Sequence, residues 1–162
     1  MCASRFDLVE HFPRGGRVAE IGTHEGVFAR HILKTNAPQE LHLVDADMSF
    51  LVGDVADDPA VTLHCGLSHQ ILQSFQEDYF DWIYIDADHS FAGVSRDADL
   101  ASTKIRPGGY LVFNDFAHAD QDLGQYGVHR AVVDFSIQNE WPFVWWAYEP
   151  SGLYDVALQR PQ

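Results

Sequence analysis

The chain has 162 residues, 46% of them hydrophobic, and a formal net charge of −14 at pH 7. This length suits one domain with a substantial core, so we predict a single domain over residues 1–162. The negative charge would repel a phosphate backbone, which argues against nucleic acid as a partner. Composition therefore favours a globular protein that acts on something other than nucleic acid.

The sequence shows no membrane or export signal of its own. Apolar runs stay well short of the roughly 20 residues of a membrane span, so no membrane partner is expected. Asp7 and Glu10 interrupt the start of the chain where a signal peptide would be apolar. Cys2 and Cys65 show no metal-ligand spacing and are expected to be free thiols. We therefore expect a cytoplasmic protein.

Short apolar or β-branched runs alternate with longer amphipathic runs along the chain, which is typical of a parallel sheet covered by helices on both faces. The predicted strands are residues 16–22, 40–46, 60–66, 80–86, 108–115, 143–148 and 153–159. Only residues 149–152 separate the last two, too few for a helical crossover, so these strands should form an antiparallel hairpin. The predicted fold class is α/β: a Rossmann-like doubly wound sheet of seven strands, mostly parallel with an antiparallel C-terminal hairpin.

Four amphipathic segments between these strands are predicted to be helices: residues 26–35, 68–76, 92–105 and 127–138. Ser68 stands where an N-cap serine is favoured. Pro107, Gly108 and Gly109 should end the third helix and turn the chain into a strand. The connection at residues 47–59 has room for a short helix at best, since Gly53 and an acidic run interrupt it.

The junction of the first strand and first helix carries Glu20, Gly22 and Gly26. Glycines let the backbone turn tightly and approach a ligand, and the helix that follows offers unpaired N–H groups. The spacing lacks the second glycine of a dinucleotide fingerprint and the Lys-Ser/Thr pair of a phosphate-binding loop. NAD and ATP are therefore poor candidates for this loop.

The ends of the second and third strands extend the same crevice. Asp45 is placed to accept hydrogen bonds from both hydroxyls of a ribose, and it lies about twenty residues after the glycine loop as ribose binding requires. The alternative is that Asp45 caps a turn. Gly66 and Ser68 would line an adenine site, although Ser68 could instead serve as a plain helix cap.

Taken in order, the segments AEIGTHEG, LVDAD, HCGLSHQIL, DWIYIDADHSFAGVSRD and IRPGGYLVFNDF resemble class I S-adenosylmethionine-dependent methyltransferases. IDADHSFAGVSRDADL, GGYLVFNDF and GVHRAVVDF are most similar to small-molecule O-methyltransferases of the macrocin and catechol type. The resemblance runs from about residue 16 to residue 159. It implies S-adenosyl-L-methionine as the cofactor, whose sulfonium cation suits a loop without basic phosphate-binding residues.

The resemblance also implies roles for individual residues. The methionine part of the cofactor would lie on the loop from Glu20 to Gly26, including Gly22 and Thr23, with Asp86 near the sulfonium. Asp45 and Ala46 would hold the ribose, and Gly66 and Ser68 the adenine region. Metal-dependent members take their ligands from the ends of the fourth and fifth strands, which here are Asp86, Asn114 and Asp115.

A bound divalent cation at these residues is an open prediction. Oxygen ligands favour Mg²⁺, whereas His89 and His118 close by would suit Mn²⁺, Fe²⁺ or Zn²⁺. A metal would lower the pKa of an acceptor hydroxyl and so assist its deprotonation.

His89, with Asp86, is the predicted catalytic pair, and His89 has two interpretations. As a general base it would take the proton of an acceptor hydroxyl, because its ordinary pKa is near neutrality. As a structural residue it would cap the helix that begins near Phe91 or pair with Asp88. Other histidines compete for the same role: His24, His69 and His118. Asp97, next to Arg96, is predicted to be a solvated or ion-paired surface acid.

The sequence leaves the acceptor unidentified. Few residues precede the first strand, so the cover of the acceptor pocket must come from residues 118–127, the N-terminus or the second subunit of a homodimer. Trp141, Trp145 and Trp146 would pack against an aromatic acceptor or a dimer partner, or else belong to an ordinary core strand.

The leading hypothesis is therefore methyl transfer to a hydroxyl of a small molecule, with or without a divalent metal. Two alternatives remain open. One is a metal-dependent oxygenase or hydrolase-like member of the same fold, and the other is a non-catalytic binding module.

Overall fold

The structure, a computed structural model, describes residues 1–117, 119–120, 124–148 and 154–162. Predictions for His118 and for the turn at residues 149–152 lie outside these residues. In chain order the described elements are α1 (Arg5–Leu8), β1 (Arg17–Ile21), α2 (Val27–Asn36), β2 (Glu40–Asp45), β3 (Val61–Cys65), α3 (Ser68–Ser74), β4 (Phe80–Ile85), α4 (Phe91–Lys104), β5 (Ile105–Phe113), β6 (Ala119–Asp120), β7 (Gly124–Gln125), α5 (Val128–Asn139), β8 (Phe143–Tyr148) and β9 (Tyr154–Gln159). Single 3₁₀ turns occupy Val9–His11, Met48–Phe50 and Gly53–Val55.

Seven strands form one sheet in the order β3-β2-β1-β4-β5-β9-β8. The first five strands are parallel, and β9 runs antiparallel to both β5 and β8. The predicted fold class is thus confirmed, including the antiparallel pair at the C-terminus. Because β1 and β4 are neighbours, the chain winds away from the sheet centre in both directions, which opens a crevice at the carboxyl ends of these strands.

The two faces of the sheet carry separate cores. Side chains alternate between faces along a strand, so in β4 Ile83 and Ile85 pack with α3, α4 and α5, whereas Trp82 and Tyr84 pack with α1 and α2. All four are buried, as expected for parallel strands covered on both sides. None of the described helices combines the length and apolar character needed to cross a membrane.

Helix α4 shows how local sequence sets the boundaries. Ser90 is its N-cap and accepts a hydrogen bond from the Gly93 backbone N–H at 3.0 Å. Val94, Ala98 and Ala101 then follow at helical spacing and are buried against the sheet. This cap fixes the direction in which the chain leaves β4.

The start of β5 differs from prediction. The helix ends at Lys104, and the strand begins at Ile105 rather than at residue 108. Phe80 of β4 pairs with Ile105, but Trp82 pairs with Tyr110, so the residues in between on β5 form a bulge. Gly108 lies in this bulge with a φ of 78°. The Pro-Gly-Gly segment therefore bends a strand that has already begun.

The connection between β2 and β3 contains only two 3₁₀ turns, which agrees with the prediction of a short helix at best. The N-terminal segment is bound to the sheet by backbone hydrogen bonds. The Cys2 N–H donates to the Trp146 carbonyl at 2.7 Å, and the Tyr148 N–H donates to the Cys2 carbonyl at 3.0 Å. These bonds fasten residue 2 to the edge strand β8 and bring α1 over the carboxyl ends of the sheet.

Candidate functional site

The loop after β1 has the tight geometry that glycine permits. Gly22 and Gly26 have φ values of 91° and 77°. A side chain at Gly22 would overlap the backbone carbonyl of Asp86, so the ends of β1 and β4 approach one another closely at this point. A larger residue could therefore not replace Gly22 without moving the end of β4.

A cleft of about 480 Å³, called the main cleft here, lies at these strand ends. It brings together six of the predicted cofactor residues: Gly22, Asp45, Ala46, Gly66, Ser68 and Asp86. The Gly66 N–H donates to the Asp45 carbonyl at 2.8 Å, which ties the loop after β3 to the end of β2.

Asp45 organises the backbone around the main cleft. Its Oδ2 accepts a hydrogen bond from the His24 N–H at 2.8 Å, and its Oδ1 accepts one from the Asp47 N–H at 3.0 Å. Asp45 therefore caps the turn, as the alternative interpretation predicted. Each carboxylate oxygen has a second acceptor site, so Asp45 can still receive hydrogen bonds from two ligand hydroxyls.

Asp97 is not the surface acid that the sequence suggested. It is fully buried, and its Oδ2 accepts a hydrogen bond from the Ser68 hydroxyl at 2.7 Å. Burial raises the pKa of Asp97, although the hydrogen bond from Ser68 and the nearby Arg96 oppose this. The ion pair with Arg96 is present, at 3.6 Å. The prediction failed because Asp97 lies on the face of α4 that packs on α3.

Ser68 also differs from prediction as a cap. The N-cap position of α3 is Leu67, and the Ser68 hydroxyl is engaged with Asp97 rather than with its own helix. This bond fixes the position of Ser68 on the wall of the main cleft.

A second, smaller pocket of about 280 Å³ adjoins the main cleft and shares Gly22, His24 and Asp86 with it. We call it the Arg5 pocket, because Arg5 of α1 lines it together with Glu20 and Thr23. Glu20 Oε2 and Thr23 Oγ1 are buried and have no hydrogen-bond partner among the described residues. Burial and the nearby Asp86 carboxylate raise the pKa of Glu20 well above its ordinary value, with Arg5 opposing them. Such buried polar atoms fit a cationic ligand group that would satisfy them.

His89 lies between two carboxylates. Its Nε2 is buried, 3.4 Å from Asp86 Oδ1 and 3.7 Å from Asp115 Oδ2. Burial lowers the pKa of His89, but the nearby carboxylates of Asp86 and Asp115 outweigh it, so the pKa is raised. Asp115 follows the end of β5 and has a left-handed backbone with a φ of 53°.

The structural interpretation of His89 is not supported. Ser90 caps α4, and Asp88 Oδ1 accepts the Ser90 N–H at 2.9 Å, so capping falls to these two residues. The His89 ring instead packs on Tyr126, with ring centroids 4.7 Å apart. Both rings line a third pocket of about 600 Å³, the His89 pocket, which meets the main cleft at Ala87 and Asp88.

The described residues around Asp86 and Asp115 do not support the predicted metal site. The Asn114 amide nitrogen donates to the Tyr84 hydroxyl at 3.2 Å and to Asp155 Oδ1 at 3.1 Å. The His89 ring occupies the space between the Asp86 and Asp115 carboxylates. Across the described part of the chain, no group of three or more His, Cys, Asp or Glu side chains is placed to hold a metal.

Three residues beneath the site were missed by the sequence analysis: Arg5, Tyr84 and Asp155. The Tyr84 hydroxyl donates to Asp155 Oδ2 at 2.6 Å, and burial raises its pKa well above the ordinary value. Arg5 Nη1 lies 3.4 Å from the Tyr84 hydroxyl and 3.6 Å from Asp86 Oδ2. Polar residues inside apolar strands were a usable signal for Tyr84 and Asp155, but nothing local marks Arg5.

One competing histidine, His24, lies in the main cleft rather than in the His89 pocket. His24 lines the main cleft and stacks on Phe50, with centroids 5.2 Å apart.

Of the three predicted sources of cover, the N-terminus supplies Arg5 to its pocket, and the described end of the 118–127 segment supplies Tyr126 and Gly127 to the His89 pocket. Trp141 is buried in the core, and Trp146 is partly exposed beside Phe143.

Solved structures similar to this one include S-adenosylmethionine-dependent methyltransferases. One from Mesorhizobium loti is 14% identical, with a TM-score of 0.70 and 96% of each chain covered. One from Methanosarcina mazei is 11% identical, with a TM-score of 0.70, 95% of this chain and 97% of that chain covered. An O-methyltransferase from Bacillus cereus in complex with SAH is 16% identical, with a TM-score of 0.70, 94% of this chain and 77% of that chain covered.

Strand order, cleft and structural likeness together define a class I S-adenosylmethionine-dependent methyltransferase fold. The family model described as "Methyltransferase domain" matches residues 19–116, more than half of the chain. The chain belongs to this methyltransferase family. No curated protein sequence matches it.

Proposed function

We propose that this methyltransferase moves a methyl group from S-adenosylmethionine to a hydroxyl of a small molecule, with His89 as the general base. One observation carries the proposal: His89 lies between two carboxylates, in a pocket that meets the main cleft. A base in that position lines the pocket that would hold an acceptor next to a cofactor in the main cleft.

The main cleft and the Arg5 pocket suit the two halves of the cofactor. Asp45 would hold the ribose, with Ala46, Gly66 and Ser68 around the adenosine; we call this region the adenosine end. Glu20 and Thr23 would hold the methionine part in the Arg5 pocket, the amino-acid end. The cofactor supplies an activated methyl group on a sulfonium. The carboxylates of Glu20 and Asp86 favour that positive charge over a neutral ligand.

His89 acts in its neutral form. It accepts the acceptor hydroxyl proton, and Asp86 and Asp115 stabilise the imidazolium that results. The same carboxylates raise the pKa of His89, which makes it a stronger base. Tyr126 packs against the ring and restricts its orientation, so the proton acceptor is held in place before the acceptor binds.

The divalent cation has no part in this proposal, because the His89 ring lies between the Asp86 and Asp115 carboxylates and no metal-binding group is found among the described residues. The metal-dependent alternative loses its support for the same reason. The cytoplasmic location and the homodimer stay predictions.

The test is the substitution His89→Gln. We expect the rate of S-adenosylhomocysteine release with small hydroxyl acceptors to fall by about 100-fold or more, since general base catalysis contributes roughly that much. Calorimetry should show S-adenosylhomocysteine binding unchanged within about 2-fold. His129→Gln, on the exposed side of α5, is the matched control. Full activity in His89→Gln would remove His89 from the base role, and no binding to the wild type at millimolar ligand would remove the cofactor assignment.

A further inference from the structure

The Arg5 pocket combines residues of two origins. Glu20, Thr23 and Asp86 lie within the part of the chain that matches the family, whereas Arg5 lies before it, on the N-terminal helix. Backbone bonds between Cys2 and β8 hold that helix in place. An element outside the matched domain therefore contributes a charged side chain to a pocket inside it.

The Arg5 side chain is oriented by its surroundings. Its guanidinium lies over the Phe28 and Phe6 rings, 5.3 and 5.6 Å from their centroids. It also lies 3.6 Å from Asp86 Oδ2 and 3.4 Å from the Tyr84 hydroxyl. Stacking and two polar neighbours therefore hold the guanidinium in one orientation at the wall of the pocket.

The charges of the pocket are unbalanced without Arg5. Among the described residues that line it, Arg5 carries the one permanent positive charge, against Glu20, Glu25 and Asp86. A pocket of carboxylates alone would accept an ammonium group but would repel a carboxylate. An arginine opposite a buried acid gives instead the charge pattern that complements an amino-acid zwitterion.

We infer that Arg5 binds the α-carboxylate of the cofactor's methionine part, so that the N-terminal helix completes the cofactor site. Arginine pairs with a carboxylate through two parallel N–H···O bonds, which adds directional selectivity to the attraction. This inference rests on the proposed function, because it takes S-adenosylmethionine as the ligand of the main cleft. The competing explanation is that Arg5 only neutralises Asp86 and supports the buried Tyr84 network.

The experiment uses three ligands that differ only in the part facing Arg5. S-adenosylhomocysteine carries the whole amino acid, its decarboxylated analogue lacks only the carboxylate, and methylthioadenosine lacks the amino-acid part altogether. Calorimetry measures each ligand with the wild type, with Arg5→Met and with Arg5→Lys. Arg14→Met, at an exposed position, controls for loss of a positive charge.

Arg5→Met should weaken S-adenosylhomocysteine binding by about 10- to 100-fold, the usual contribution of hydrogen bonds to a charged group. Binding of the decarboxylated analogue and of methylthioadenosine should change by less than about 2-fold. Arg5→Lys keeps the positive charge but cannot form the two parallel N–H···O bonds of a guanidinium. Its affinity for S-adenosylhomocysteine should therefore lie between those of the wild type and Arg5→Met. Arg5→Lys also serves as the test variant if Arg5→Met does not fold.

Each outcome separates the two proposals. Equal weakening of S-adenosylhomocysteine and its decarboxylated analogue would overturn the inference, because Arg5 would then act through the structure of the site. A wild type that binds none of the three ligands would overturn the proposed function itself. A wild type that binds all three, with selective loss of S-adenosylhomocysteine in Arg5→Met, supports both.

Discussion

The adenosine end and the amino-acid end of the site are built differently. At the adenosine end the polar side chains already have partners within the protein: Asp45 accepts two backbone N–H groups and Ser68 donates to Asp97. At the amino-acid end Glu20 Oε2 and Thr23 Oγ1 are buried without a hydrogen-bond partner among the described residues. One end is complete as folded, and the other carries polar atoms that a ligand would satisfy.

This difference predicts how each end uses binding energy. Preformed hydrogen bonds hold the adenosine end in one geometry, so a ligand meets an ordered surface there. Buried polar atoms without partners destabilise the free protein, and a ligand that pairs with them relieves that cost. Substitutions at the adenosine end should therefore reduce affinity and stability together. Substitution of an unpartnered group at the amino-acid end, such as Glu20, should affect them in opposite directions.

The largest effect is expected for Asp45→Ala. It removes the proposed ribose contact and releases the His24 and Asp47 N–H groups, so S-adenosylhomocysteine binding should weaken by about 100-fold or more. The melting temperature should fall as well. Calorimetry and thermal unfolding measure the two quantities. Unchanged affinity would remove Asp45 from the ribose role. Asp47→Ala removes the cap on the Ser49 N–H in the same turn without removing a proposed ribose contact, so it controls for the loss of a turn cap.

Glu20→Gln should change affinity and stability in opposite directions. We expect binding to weaken by about 10-fold, because a charged partner of the ligand ammonium is lost. The free protein should become more stable by about 1–2 kcal/mol at neutral pH, because it no longer contains a carboxyl whose ionisation burial disfavours.

The pH dependence of Glu20→Gln sharpens this prediction. Burial raises the pKa of Glu20, so the folded wild type binds the proton more tightly than the unfolded chain and loses stability as pH rises above the ordinary value near 4.5. The stability gain of Glu20→Gln should therefore grow with pH from that point. Urea unfolding at several pH values measures it, with Glu10→Gln at an exposed position as control. A variant that is less stable than the wild type throughout would contradict the comparison.

The smallest effect is expected for Asp115→Asn. Asn tolerates the left-handed backbone at this position, so the fold should be kept. Loss of one carboxylate lowers the pKa of His89, and a base is active when unprotonated, so the rise of kcat/KM with pH should move to lower pH. The plateau rate should fall by less than about 10-fold, because a weaker base takes the proton less readily. A pH–rate profile that does not move would separate Asp115 from the base.

Sequence alone predicted the fold and most of the cleft because both depend on local patterns. Apolar runs and helical spacing locate the strands and helices, and parallel strands place their carboxyl ends side by side, so Asp45, Gly66 and Asp86 meet in one cleft as expected. Whether these residues bind cofactor stays a prediction.

Features set by long-range packing could not be predicted. Burial of Asp97 depends on how α3 meets α4, and the direction of the Asn114 amide depends on Asp155, some 40 residues later along the chain. Arg5 reaches the site because backbone bonds hold Cys2 on β8. None of these contacts produces a periodic pattern in the sequence from which it could be predicted.

The bonds between Cys2 and β8 also matter for association between molecules. As the outermost strand, β8 has backbone groups on its free side that could pair with another chain, and Trp146 and Tyr148 are partly exposed there. Residue 2 engages the Trp146 carbonyl and the Tyr148 N–H. Detachment of this segment would expose a template for strand pairing while withdrawing Arg5 from its pocket. Cofactor loss and self-association would then share one structural trigger.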